Sequence, residues 1–211
     1  MIEGSALGRA DVVRRIAGVS GIISQFFAIM ALVLPVSTAP WFSWTQDHLS
    51  ALGVEGSMRM MYNWGLILAG IFSVIFVICI GRYFLIGRLG RVALAFLILG
   101  SLALFSMGLF PRNWDFSHGA STVAFYVCIT LGLVSAGVAA ITASQTTWGM
   151  LTITAGVLVA ALLLIPGPLA GGAITQLLAC IPWALWTLAL CTMLLVNPVS
   201  SEHPVLLERS R

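Results

Sequence analysis

The chain has 211 residues, of which 60% are hydrophobic and only 8% are charged, and its mean hydropathy is +1.05. Soluble domains carry about 25% charged residues. This composition therefore excludes a soluble globular protein and indicates an integral membrane protein.

Six apolar runs are long enough to cross a hydrocarbon layer of about 30 Å, which takes roughly 20 helical residues. They lie near 16–38, 62–81, 92–110, 119–142, 150–165 and 174–196. The runs lack the two-residue alternation of a closed β-barrel, so they are expected to be helices. The sequence predicts an all-α fold: a polytopic bundle of six transmembrane helices that forms a single transmembrane domain over residues 1–211.

In chain order, residues 1–15 are predicted to form a short polar tail, and the first span ends near Pro40. The second span carries Gly65 and Gly70. Small residues allow membrane helices to approach closely, so these glycines predict tight helix contacts. Phe110-Pro111 ends the third span.

The arginines indicate the orientation of the bundle. The chain has ten basic residues and no lysine, and eight of the ten flank helix ends that a six-pass protein places on one side: Arg9, Arg14, Arg15, Arg82, Arg88, Arg91, Arg209 and Arg211. The positive-inside rule then predicts a cell-membrane protein with both termini in the cytoplasm. Because topology explains the net charge of +3, no nucleic-acid partner is expected.

Two polar segments, 42–63 and 112–118, interrupt the apolar runs on the opposite, outer face. Ionisable groups close to membrane depth are costly, and those that occur often mark functional sites. Two alternatives stay open from the residues alone. The segments are wet loops, or Asp47 and Ser50 serve as helix caps.

A Ser, an Asp and a His from different helix ends can supply a nucleophile, an orienting carboxylate and a general base. The candidate catalytic residues are Asp47, Ser50 and His118, and the candidate substrate contacts are Asn63, His48 and Arg112. A metal held by the Asp and the histidines is a variant, but catalytic zinc usually takes three protein ligands. No metal site is therefore assigned, and any cofactor is unknown.

Several short motifs occur in the order and spacing of a known family. They are Asp-His-Leu-Ser-Ala-Leu-Gly at 47–53, Asn-Trp-Gly-Leu-Ile-Leu-Ala-Gly at 63–70, Gly-Leu-Phe-Pro at 108–111, and His118. Over nearly its whole length the chain resembles the DUF998 membrane family, although His48 is not part of that pattern. The family is similar to the Frag/DRAM/Sfk group, which includes proteins of lipid-anchor remodelling and membrane-lipid homeostasis. The resemblance implies a six-helix bundle with an outward-facing polar pocket and no established reaction.

The first functional hypothesis is a lipid-directed hydrolase or acyl transferase with its pocket at the outer leaflet. The alternative is a non-catalytic lipid-binding or scaffolding protein whose outer polar cluster joins the second and fourth helices. A small-solute transporter is less favoured, because charged residues are absent from the middle of every span. Membrane lipids are the expected partners, and the sequence does not indicate an oligomeric state.

Overall fold

The apolar runs fold into helices in a computed structural model, which describes residues 2–82, 85, 87–164 and 172–196. Over these residues the chain forms six α-helices and, between the first two, a short 3₁₀ helix at Leu49–Gly53. The α-helices are α1 (Ile2–Ser37), α2 (Arg59–Gly81), α3 (Gly87–Leu109), α4 (Asp115–Thr142), α5 (Thr146–Leu163) and α6 (Ala173–Val196). Each contains a stretch long and apolar enough to cross a membrane, which confirms the predicted all-α, multi-pass architecture.

The helices form a closed ring in which each one packs against its neighbours in the chain and α6 packs against α1. One end of the ring carries the connection at 38–58 and the connection at 110–114. We call this end the loop end. The start of α1 and the end of α6 lie at the opposite end, which we call the terminal end. The predicted cytoplasmic arginines of the carboxyl tail, Arg209 and Arg211, lie outside the described residues.

The first helix begins much earlier than the sequence predicted, since α1 starts at Ile2 and includes the expected polar tail. The charges in this tail are compensated along the helix. Asp11 Oδ1 accepts a hydrogen bond from Arg14 Nη2 at 2.5 Å, across one helical turn. Arg14 also donates to the backbone carbonyl of Leu194 in the last turn of α6. A cation at the carbonyl end of a helix interacts favourably with the helix dipole, so Arg14 helps to join the two ends of the chain.

The predicted close contacts at Gly65 and Gly70 are confirmed, and they face different helices. A Cβ at Gly65 would lie 2.6 Å from the Cβ of Ala31 on α1. A Cβ at Gly70 would lie 2.5 Å from the backbone nitrogen of Phe105 on α3. Helix α2 therefore sits tightly between α1 and α3 because it presents hydrogen atoms where other residues present side chains.

Replacing Gly70 with Ala should lower the melting temperature in detergent, because the added methyl group meets backbone atoms of α3 and not a flexible side chain. We expect a loss of about 1–3 kcal/mol of stability, the usual cost of overpacking. Gly119→Ala is the matched control, since nothing lies within 4 Å of a Cβ at that helical position. Equal melting temperatures for the two variants would show that α2 and α3 are not in close contact at Gly70.

Candidate functional site

The connection at 38–58 folds against the beginning of α6. Ala173 N donates to the carbonyl oxygen of Asp47 at 2.7 Å, and Ile174 N donates to that of Trp44 at 3.1 Å. The first N–H groups of a helix have no partner within the helix. Backbone carbonyls of the connection therefore cap α6 and bind the connection to it.

Gln176, in the first turns of α6, adds two side-chain contacts to the same connection. Its Oε1 accepts a hydrogen bond from Leu49 N at 2.9 Å, and its Nε2 donates to His48 Nδ1 at 3.2 Å. The second bond requires an unprotonated Nδ1. Partial burial and the nearby Arg112 guanidinium lower the pKa of His48, and together they outweigh the opposing effect of Asp47. The surroundings of His48 thus favour the neutral form that accepts from Gln176.

The 3₁₀ helix is anchored between α1 and α2. Leu52 is only 1% exposed and packs with Ala39 and Tyr62. Asn63 Nδ2 donates to the carbonyl oxygen of Gly53 at 2.8 Å, while Asn63 Oδ1 is buried without a partner among the described residues. Asn63 therefore fixes the end of the 3₁₀ helix, which is a structural contact.

Below the connection lies a cavity of about 360 Å³ between α1, α2, α3, α4 and α6. Most of the side chains around it are apolar. Along α6 its lining runs from Gln176 to Leu185, which at 1.5 Å per residue is about 14 Å. The cavity thus extends from the loop end to about half the thickness of a hydrocarbon layer of roughly 30 Å.

Two of the three predicted catalytic residues line this cavity. Ser50 reaches it from the 3₁₀ helix and His118 from the first turns of α4, where it is 8% exposed. His118 Nδ1 lies 2.8 Å from the carbonyl oxygen of Phe110. Because a carbonyl only accepts, Nδ1 carries the hydrogen and Nε2 of the neutral ring is left as an acceptor. The tautomer of His118 is therefore one that can take up a proton at Nε2.

Asp47 and Arg112 are placed elsewhere. Asp47 Oδ2 accepts a hydrogen bond from Ser43 N at 2.7 Å and so closes a local turn. Arg112 is exposed in the connection between α3 and α4. Neither is among the described residues that line the cavity. The structure thus brings Ser50 and His118 to one cavity without Asp47, and a backbone carbonyl takes the position beside His118 that the sequence reserved for a carboxylate.

The cavity also contains polar residues that the sequence reasoning missed. Gln25 of α1 lines it and is 6% exposed. Tyr126 of α4 lines it too, and its hydroxyl donates to the carbonyl oxygen of Gln176 at 3.2 Å. An amide buried in an apolar run is costly unless it finds a partner. Gln25 and Gln176 were recognisable on that ground, as uncharged polar residues within predicted spans.

The cavity reaches the outer surface of the bundle between α1 and α6. Three of its lining residues are well exposed: Ile29 (51%), Ile181 (41%) and Leu185 (61%). Nearer the terminal end the two helices are in direct contact, where a Cβ at Gly21 would overlap Cys191 Sγ. The α1–α6 interface is therefore closed towards the terminal end and has a side opening at the level of the cavity.

Among the described residues, no group of three or more His, Cys, Asp and Glu side chains is placed to hold a metal ion. A family model described as "Protein of unknown function (DUF998)" matches residues 22–193, a range that includes every residue lining the cavity. This match confirms the resemblance drawn from the motifs, while the likeness to the Frag/DRAM/Sfk group stays a prediction. No curated protein and no solved structure matches the chain.

Proposed function

We propose that this chain, which belongs to the DUF998 family, binds an amphiphilic lipid in the cavity beneath the connection at 38–58. The observation that supports this proposal is the distribution of polarity along the cavity. Ser50, His118 and Gln176 lie at the loop end, and apolar side chains of α1, α4 and α6 dominate below them. An amphiphile has the same distribution, with a polar head and an apolar chain.

Polar contacts at the loop end would select the ligand. Lipid tails are as apolar as leucine, so a chain gains little free energy simply by leaving the bilayer for an apolar cavity. An empty cavity is unfavourable, however, because its lining loses packing contacts. Filling the cavity thus favours occupation in general, whereas His118 Nε2 and the Ser50 hydroxyl distinguish one head from another.

Filling the cavity from within should expel the lipid. Ala184 lines the cavity on α6, and Ala184→Phe should lower the lipid retained after purification about tenfold, which corresponds to roughly 1.4 kcal/mol of steric cost. Ala120→Phe is the matched control, because Ala120 is exposed on α4. Lipid per protein is measured by mass spectrometry, with melting temperature as a check on folding. Equal lipid content in both variants and the wild type would refute binding in this cavity.

A second candidate function is a lipid-directed hydrolase or acyl transferase, favoured by the shared position of Ser50 and His118 on one cavity. In this reaction Ser50 Oγ attacks the acyl carbonyl of the lipid and His118 Nε2 takes up the hydroxyl proton. The ester C–O bond breaks, and His118 returns the proton to the departing alcohol. Water, or a second alcohol in the transferase, then releases the acyl group from Ser50.

Ser50→Ala should lower the turnover of phospholipid in vesicles by a factor of about 10² or more if this candidate is correct. Ser57→Ala is the matched control, because Ser57 is exposed in the same connection. His118→Ala should abolish turnover as well, but it also removes the hydrogen bond to Phe110. Absence of turnover in the wild type, or full turnover in Ser50→Ala, would eliminate the enzyme and leave the binding proposal intact.

The finer localisation follows from charge. Six described arginines lie at the terminal end and two at the loop end: Arg9, Arg14, Arg15, Arg82, Arg88 and Arg91, against Arg59 and Arg112. The positive-inside rule supports a cell-membrane protein with the terminal end in the cytoplasm. The loop end and the mouth of the cavity would then belong to the outer leaflet.

Cysteines introduced at two exposed positions test this orientation in intact cells. Glu55→Cys at the loop end should react with a membrane-impermeant thiol reagent, and Arg88→Cys at the terminal end should not. The wild type serves as the background control, since its four cysteines lie within helices. The opposite labelling pattern would place the cavity in the cytoplasmic leaflet.

A further inference from the structure

The cavity contains a buried amide that has no partner. Gln25 is 94% buried and lines the cavity, yet its side chain makes no hydrogen bond to any residue that the structure describes. The adjacent Ser24, also on the lining, is satisfied, because its hydroxyl donates to the carbonyl oxygen of Ala69 at 2.8 Å. Gln25 thus offers two N–H donors and a carbonyl acceptor to whatever fills the cavity.

Gln25 lies at the floor of the cavity. The contact between Gly21 and Cys191 sets the relative level of α1 and the antiparallel α6. One turn nearer the loop end, Gln25 is therefore level with Thr187, whereas the deepest cavity-lining residue on α6 is Leu185. Thr187 Oγ1 is itself buried without a hydrogen-bond partner among the described residues. Uncommitted polar groups thus occur at the deep end as well as at the loop end.

We propose that the cavity is built for a two-ended amphiphile, an apolar chain whose far end carries a hydroxyl or carbonyl group that hydrogen-bonds to Gln25. This inference rests on the proposed lipid-binding function and specifies its ligand class. A chain that ends in a methyl group leaves the Gln25 amide unsatisfied in apolar surroundings, which is unfavourable. A hydroxyl or carbonyl at that depth restores the missing hydrogen bond.

The group at the floor is uncharged. None of the described residues that line the cavity is Asp, Glu, Lys or Arg. A carboxylate or an ammonium group would therefore be buried without a counter-ion, at a cost far greater than one amide hydrogen bond recovers. Gln25 accordingly favours a neutral hydroxyl or carbonyl over a second charged head.

The test compares two probes that differ only at the chain end: dodecanoyl lysophosphatidylcholine and its ω-hydroxydodecanoyl analogue. The zwitterionic head is kept at the aqueous end of the cavity, so the chain end is the part that reaches Gln25. Dissociation constants come from the rise in melting temperature with probe concentration. For the wild type we expect the ω-hydroxy probe to bind about tenfold more tightly, the effect of one hydrogen bond in apolar surroundings.

Gln25→Leu removes the amide at similar volume and should bind the two probes equally. Gln25→Met, a second unbranched replacement, serves the same purpose if the leucine variant folds poorly. Gln145→Leu makes the same chemical change at an exposed position outside the cavity and should keep the tenfold preference.

The outcomes separate the two proposals. If the wild type binds both probes equally, the role of Gln25 is wrong and lipid binding stands. If the preference persists in Gln25→Leu, the hydroxyl is recognised elsewhere and the role of Gln25 is again wrong. If neither probe stabilises the wild type, both the inference and the proposed lipid-binding function are overturned.

Discussion

The backbone hydrogen bonds between the connection at 38–58 and the start of α6 are the constraint on which the candidate site depends. The first N–H groups of α6 need acceptors, and the carbonyl groups of Trp44 and Asp47 supply two of them. Because the connection must lie over α6 to do so, the 3₁₀ helix is held above the space between the helices. Ser50 then borders the cavity, and Gln176 contacts the connection from below.

The binding and enzymatic proposals make different use of the same residues. As a binding site, the cavity needs His118 and Ser50 only as hydrogen-bonding groups, and their exact separation matters little. As an active site, it needs the Ser50 hydroxyl within reach of His118 Nε2 in the bound complex. The carbonyl of Phe110 fixes the His118 tautomer in both cases, but a neutral carbonyl stabilises an imidazolium less than a carboxylate does. Catalysis without a carboxylate would therefore be slower than in a full triad.

Much of the fold was predictable, because apolar runs of about 20 residues have few alternatives to a membrane helix. The start of α1 was not, since Asp11 and Arg14 look like a solvated tail until their mutual hydrogen bond is known. The partner of the polar connection was also missed. Residues near 47 were expected to face α2 and α4, but ring closure brings α6 against them, and no local pattern encodes which helix closes a ring. Gln25 was overlooked because only ionisable residues were weighed as membrane-embedded candidates.

The side opening between α1 and α6 has a consequence for the composition of the membrane around the protein. The opening lies at the level of a cavity that covers about half the hydrocarbon thickness, and the helices are in contact nearer the terminal end. A ligand that enters sideways therefore comes from one monolayer only. Occupancy would follow the lipid asymmetry of the bilayer, and a molecule confined to the other monolayer would first have to cross it by flip-flop.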